Sequence, residues 1–365
     1  MKRVALAALP AVALVAACGS KRPPPEFAPD PGLVAQIREI RVSTTPSACP
    51  GESFGATYTA VLKDGSLVPF ESHYDKKHPP RLHVIFLERS SPEATPLEDG
   101  SWSAARDPLM TALTGFRLTT SLKANPSVTT STTLTPEYSC LQHTFGFSGY
   151  GAGASGPQVT VRLGILRSPY YDRLIVAGIE VEEAPTMYVL ADARAVPPSD
   201  WLVVEARGGH GSRGADGQSG VAGTNGQDGC PGGAGGPGGA GGNGSAGGPG
   251  GRGGQITILA PVEEPFLAGL VDARTPGGEG GAGGNGGKGG NGGKGGAANP
   301  ANDPRCVAGQ NGSAGPAGAK GQDGREGAPG TRPQIVQVPM RDVWGQRIPP
   351  SLADLMNWRP SRGRE

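Results

Sequence analysis

The chain has 365 residues with 33 basic and 32 acidic side chains, so its bulk charge marks out neither a nucleic-acid-binding face nor an acidic partner. Glycine at 63 and proline at 36 exceed the usage of ordinary globular chains, while aromatic residues supply only 5%. A conventional hydrophobic core can therefore occupy only part of the sequence, and a second physical regime must account for the rest.

Residues 1–18, MKRVALAALPAVALVAAC, have the layout of an export signal: Lys2 and Arg3, a short apolar stretch, then small residues. The apolar stretch is too short to span a bilayer as a helix. Its ending, Val15-Ala16-Ala17-Cys18, resembles the lipobox of bacterial lipoproteins. That resemblance implies that Cys18 is acylated and becomes the mature N-terminus, with several acyl chains giving a stable membrane anchor. Gly19, where an aspartate would retain such a protein in the inner membrane, implies sorting to the outer membrane of the cell envelope, on a face left open. The Pro-rich stretch 19–32 reads as a tether lifting the folded part off the bilayer.

Export also bears on Cys49, Cys140, Cys230 and Cys306, an even set in a compartment that permits disulfides. Three pairings are possible. The change of composition near residue 207 favours the local pairs, Cys49 with Cys140 and Cys230 with Cys306. None of the four has the C-x-x-C or Cys/His spacing of a zinc site, so no metal is expected, and no cofactor either.

Residues 33–200 carry short β-branched and apolar runs between turn residues, among them IREIRV, ATYTAVL, RLHVIFL, FRLTTSL, QVTVRLGIL and TMYVLA. No long helical stripe interrupts them, and the pattern suits an antiparallel β-sandwich. The stretch CPGESFGATYTAVLKDGSLVPF and the Tyr138-x-Cys140 spacing resemble Ig-like domains, which implies the same architecture. Residues Gly151 to Gly156 spell G-x-G-x-x-G, but a strand follows where a phosphate site needs a helix N-terminus, so they read as a flexible inter-strand loop. His73, Asp75 and His78 form a polar cluster that reads as a solvated loop before RLHVIFL. No catalytic motif is present, and no enzymatic activity is expected.

From Gly208 to Gly253 glycine falls at every third position, and the same beat returns over 277–295 and 309–330. The pattern resembles collagen, where glycine is needed at each third residue. Proline, however, fills only positions 231, 237 and 249 of the first run and none of the second, and many triplets are Gly-Gly-X, which adds backbone entropy that a triple helix does not recover. A left-handed helix of three residues per turn instead leaves its N–H and C=O groups pointing sideways. Bare glycine edges then let neighbouring helices exchange backbone hydrogen bonds, as in the polyglycine-II bundles of glycine-rich antifreeze proteins and some phage tail adhesins, which this region resembles.

Triplet type orders the segments. Residues 208–229 and 309–330 are mostly Gly-X-Y, and 232–254 and 277–296 mostly or wholly Gly-Gly-X, an order of outer, inner, inner, outer. Each would extend about 60–70 Å at ~3.1 Å per residue. The apolar runs WLVVEAR, QITILAP, FLAGLVDA and QIVQVPM then root two out-and-back hairpins in one small β base, with Cys230 and Cys306 at the far end. A collagen-like trimer and a disordered linker remain as alternatives. Asp216, Asp228 and Asp323 lack the calcium-repeat pattern. The expected fold is thus all-β: a sandwich over 33–200, a four-segment glycine-repeat domain with flanking strands over 201–340, and a short helix with a frayed tail over 341–365.

Together these readings describe a membrane-anchored, non-enzymatic structural or adhesive lipoprotein of the surface or periplasm. Envelope or surface proteins and glycans are the candidate partners, and nucleic acid is not. A glycan- or peptidoglycan-binding lipoprotein and an accessory subunit of an envelope complex are the other readings.

Overall fold

The computed structural model describes residues 22–182, 184–301, 303–345 and 348–359. The export signal with Cys18, the first tether residues and the tail from residue 360 lie outside the described residues. Within them the chain is rich in strands and poor in helix, an all-β protein in outline.

Ten strands make up the first part: β1 (Ile37–Thr44), β2 (Ser47–Ala48), β3 (Ser53–Phe54), β4 (Ala56–Leu62), β5 (Leu67–Phe70), β6 (Leu87–Ser90), β7 (Ala94–Pro96), β8 (Trp102–Ala104), β9 (Phe116–Leu122) and β10 (Asn125–Pro136). They form three sheets, ordered β1-β4-β5, β2-β10-β9-β6 and β3-β8-β7. Alternation places the core: in β9, Phe116, Leu118, Thr120 and Leu122 are buried while Arg117 and Thr119 face water. The run RLHVIFL is only partly a strand, because Val84–Phe86 form a 3-10 turn in which His83 Nδ1 accepts the Ile85 N–H at 3.2 Å. Trp102 is fully buried and donates its indole N–H to the Tyr58 hydroxyl at 2.8 Å, which in turn donates to the Gly100 carbonyl at 2.9 Å.

The expected tether is not free over its described length. Arg22 pairs with Glu98, Phe27 stacks on Tyr74 and Phe86 at 5.0 and 5.2 Å, and helix α1 (Pro31–Val34) buries Leu33. Aromatic area and one buried leucine hold this proline-rich stretch against the first part.

The domain boundary expected at residue 200 runs through a sheet. Strands β11 (Thr144–Ser148), β12 (Gln158–Leu166), β13 (Leu174–Val181) and β14 (Met187–Asp192) combine with the four root strands, β15 (Leu202–Arg207), β16 (Gln255–Pro261), β17 (Val271–Arg274) and β18 (Gln334–Val338). The roots do not form one small sheet. Outgoing β15 and β17 join β11 in an all-parallel sheet, and returning β16 and β18 extend the sheet β14-β13-β12-β16-β18. One cluster that includes Val161, Ile179, Trp201, Val204, Ile256 and Ile258 lies between them. Part of FLAGLVDA is a 3-10 helix, Pro265–Leu270, rather than strand.

This arrangement repeats a path three times. The chain leaves along β11, turns through residues 149–157 and returns along β12; it leaves along β15 and returns along β16; it leaves along β17 and returns along β18. The last two turns are the long glycine segments. The first is a miniature, and it is not a free loop: Gly153 N–H donates to the His210 carbonyl at 2.8 Å, Gly156 N–H to the Arg252 carbonyl at 2.8 Å, and Gly209 N–H to the Ala154 carbonyl at 2.7 Å.

The C-terminal part holds two short helices where one was expected, α2 (Met340–Val343) and α3 (Pro350–Asn357). Trp344 sits over a notch in the five-stranded sheet left by Gly164 and Gly178, where added methyl groups would come within 3.0 and 3.2 Å of its ring. Val343, Trp344, Leu352 and Leu355 share a cluster with Leu109, Tyr138, Leu174 and Leu190, so this end also bridges to the first ten-strand part.

Candidate functional site: a rod of four glycine segments

The glycine segments run side by side and are joined by backbone hydrogen bonds at every third residue. First-segment N–H groups from Gly208 to Gly229 donate to carbonyls of the third, from Pro276 to Ala297, in parallel. Second-segment donors reach the first segment antiparallel, as in Gly242 to Gln218, and the fourth in parallel, as in Gly241 to Pro316. Third-segment donors reach the second, as in Gly287 to Gly242, and fourth-segment donors the third, as in Gly318 to Gly287. These distances lie at 2.7–3.1 Å over the whole length. The second and third segments each touch three neighbours, and the first and fourth only two.

The triplet types follow from that placement. A segment with neighbours on one side needs one bare edge; a segment surrounded on three sides needs two. In the third segment a methyl at Gly286 would lie 1.9 Å from the Gly318 carbonyl oxygen, and one at Gly287 1.9 Å from that of Gln218. In the first, apart from Gly209 at the root, only the inward glycines are so confined, as at Gly217, 1.9 Å from the Gly242 oxygen. The second segment is intermediate. Its Gly241 edge is closed at 2.1 Å, but at Gly242 the nearest atom stands 3.1 Å away, and Ser245 occupies the same edge.

Asparagine and aspartate side chains satisfy outward N–H groups of neighbouring segments. Asp216 accepts from Asn285, Asn225 from Lys294, Asp228 from Ala297, Asp323 from Gly283, Asn311 from Gly295 and Asn243 from Ala319, all at 2.7–2.9 Å. The Gly283 N–H, with Lys320 beside it, holds the Asp323 carboxyl below its ordinary range. Composition gave no hint of this work for the three aspartates. It needs the inter-segment register, which no single triplet carries.

At the far end Cys230 and Cys306 are joined, S–S 2.00 Å, with Asn299 N–H donating to the Gly229 carbonyl at 2.9 Å and Val307 62% exposed. The second disulfide, Cys49 with Cys140, ties the end of β2 to the chain after β10. Among the described residues the one grouping of three metal-type ligands is Cys49, Glu52 and Cys140, whose sulfurs are already bonded to each other. His73 and His78 are exposed, and Asp75 accepts the Lys77 N–H at 2.9 Å.

One cleft that the sequence did not single out, about 580 Å³, opens where the first part meets the base. Tyr138, Tyr171, His143 and Trp201 line it with Glu137 and Asp200. The His143 and Trp201 rings lie 5.3 Å apart, the buried His143 Nε2 has no hydrogen-bond partner, and burial pulls the imidazole below its ordinary pKa. Comparison of the chain with known protein families, curated proteins and solved structures finds no match.

Proposed function

We propose that the protein is a lipid-anchored structural or adhesive lipoprotein of the cell envelope, in which a β-sandwich base carries a polyglycine-II bundle that holds a stapled tip away from the base. The observation behind this reading is the hydrogen-bond ladder repeating every third residue within one chain. Such a ladder fits three-residue helices with sideways amides, and it uses no neighbouring chain as a collagen trimer would. An element built mainly of glycine backbone, with side chains only on its rim, suits spacing and contact rather than turnover of a substrate.

Hydrogen exchange of the chain from residue 19 onward, sized by light scattering, tests the bundle. Slow exchange through 208–330 in a particle that is not a trimer is the expected result. Fast exchange throughout overturns the bundle, and a trimer that melts as a unit supports collagen instead. For the anchor, incorporation of a labelled fatty acid into the membrane-fraction protein should be lost in Cys18→Ala, and label retained by that variant would remove the lipoprotein reading.

A second reading has its own observation. The cleft with Tyr171, His143 and Trp201 beside carboxylates has the composition of a site for a polar ring-bearing ligand, consistent with a glycan- or peptidoglycan-binding lipoprotein.

A further inference from the structure

The rod has two unlike faces. Third-position side chains of the first segment border the third segment, as the 3.7 Å approach of His210 to Glu279 and the bond from Asn285 N–H to Asp216 record. Those of the fourth segment do the same through Asn311 and Asp323. This face gathers Arg213, Asp216, Asp228, Glu279, Lys288, Lys294, Lys320, Asp323 and Glu326. Second-position side chains border the second segment instead: a methyl at Gly236 would lie 2.7 Å from Thr224 Oγ1, and one at Gly239 3.0 Å from the Val221 side chain.

Along that opposite face the second segment shows Ala234, Pro237, Ala240, Asn243, Ala246 and Pro249, all exposed. Its flanks are Ser212, Ala215, Gln218, Val221 and Thr224 on one side and Ser313, Pro316, Ala319 and Gln322 on the other. Val221 is 77% exposed. Among the described residues, the only charges on this face are Arg252 and Arg325, both at the root. Prolines 237, 249 and 316 also remove outward N–H groups from this face.

A glycine-rich segment already sits on the foot of the same face. The turn through residues 149–157 lies on the first and second segments, with Gly209 N–H bonded to the Ala154 carbonyl and a methyl at Gly251 only 1.7 Å from that oxygen. Among the described residues, nothing covers the face beyond Pro249.

We infer that the uncharged face of the rod packs on the same face of a second copy of this chain, pairing two rods along their length with their charged faces outward. The inference rests on the bundle reading above. From residue 234 to 249 the face runs about 47 Å at ~3.1 Å per residue. Three adjacent rows make it roughly 10–15 Å wide at backbone hydrogen-bonding spacing. That is about 500–700 Å² per copy before side-chain relief, close to the ~800 Å² per partner of a standard interface. An isologous contact needs one self-complementary patch, and a flat face of small uncharged side chains meets itself without opposing like charges. The opposite face, with mixed fixed charges, would have to desolvate them.

Sedimentation equilibrium of the chain from residue 19 onward, at about 50 μM, above the dissociation constants of most interfaces of this size, tests the pairing. The expected result is a dimer that becomes monomeric in Ala240→Glu/Ala246→Glu and persists in Ala282→Glu, a substitution on the charged face. Both sets change exposed positions, and unaltered hydrogen exchange over 208–330 verifies that the rod is intact. A monomeric parent with slow exchange overturns the pairing and leaves the bundle standing, whereas fast exchange overturns both. A dimer that survives Ala240→Glu/Ala246→Glu places the contact elsewhere and also overturns the proposal.

Discussion

At the residue scale, each glycine of the rod is constrained by a different neighbour, so glycines that look equivalent in sequence are not. Gly287 faces the Gln218 carbonyl and is itself bonded to Gly242, so an alanine methyl 1.9 Å from oxygen forces two segments apart. Gly242, one neighbour away, leaves 3.1 Å, and Ser245 already carries a Cβ on that edge. Overpacking of a tight interior costs about 1–3 kcal/mol, occasionally more, and backbone cannot swing aside as a side chain can. Gly287→Ala should therefore lower stability by about 3 kcal/mol or more, and Gly242→Ala by about 1 kcal/mol or less, where reduced freedom of the unfolded chain offsets part of the strain. Denaturant midpoints for the two variants decide it: equal losses would mean that the contact geometry does not control the requirement for glycine.

At the element scale, what stabilises a glycine segment is its neighbours, and the two tips are where neighbours run out. Cys230 and Cys306 close a loop 76 residues apart in sequence, across the tips of both hairpins. In the chain-entropy account such a closure is worth about 4 kcal/mol. Cys230→Ser/Cys306→Ser should lose stability of that order and should show fast hydrogen exchange beginning at residues near 229 and 297, while β12 and β13 keep their protection. A variant that frays first at the base would show that the tip staple is not what closes the rod.

The period of three was legible in the sequence because it is strictly local, and so was the pairing of cysteines, each pair lying on one side of the compositional break. Division of the root strands between two sheets was not legible. An apolar run such as QITILAP states that it is buried without stating which strand lies beside it, and only the parallel register of Val161 with Ile258 settles that. The cleft at His143 and Trp201 was hidden for the same reason, since its walls come from stretches far apart in sequence, Ser47 and residues 135–143 on one side and Tyr171 and residues 191–201 on the other.

At the scale of the whole molecule, the chain is a threefold out-and-back path in which rod length is decoupled from base structure. Each root strand meets its sheet below the glycine region, and within the rod every contact repeats after three residues, as in other arrays where a unit touches only its neighbours. Removing two triplets from all four segments in phase, residues 217–222, 239–244, 285–290 and 315–320, preserves the register of every inter-segment backbone bond on either side of the cut. Gly236 still meets Thr224 beside Ser245 on Ala215, and Gly312 still meets Gly293 beside Gly321 on Gly284. The shortened chain should fold, keep both disulfides and lose about 19 Å of length, six residues at ~3.1 Å each, in small-angle scattering. Deleting 217–222 alone leaves the first segment two triplets short of Cys230, so its tip can no longer reach the staple in register, and that variant should lose protection along the first segment. If the in-phase variant unfolds while the single deletion folds, the rod is not a periodic array set on an independent base.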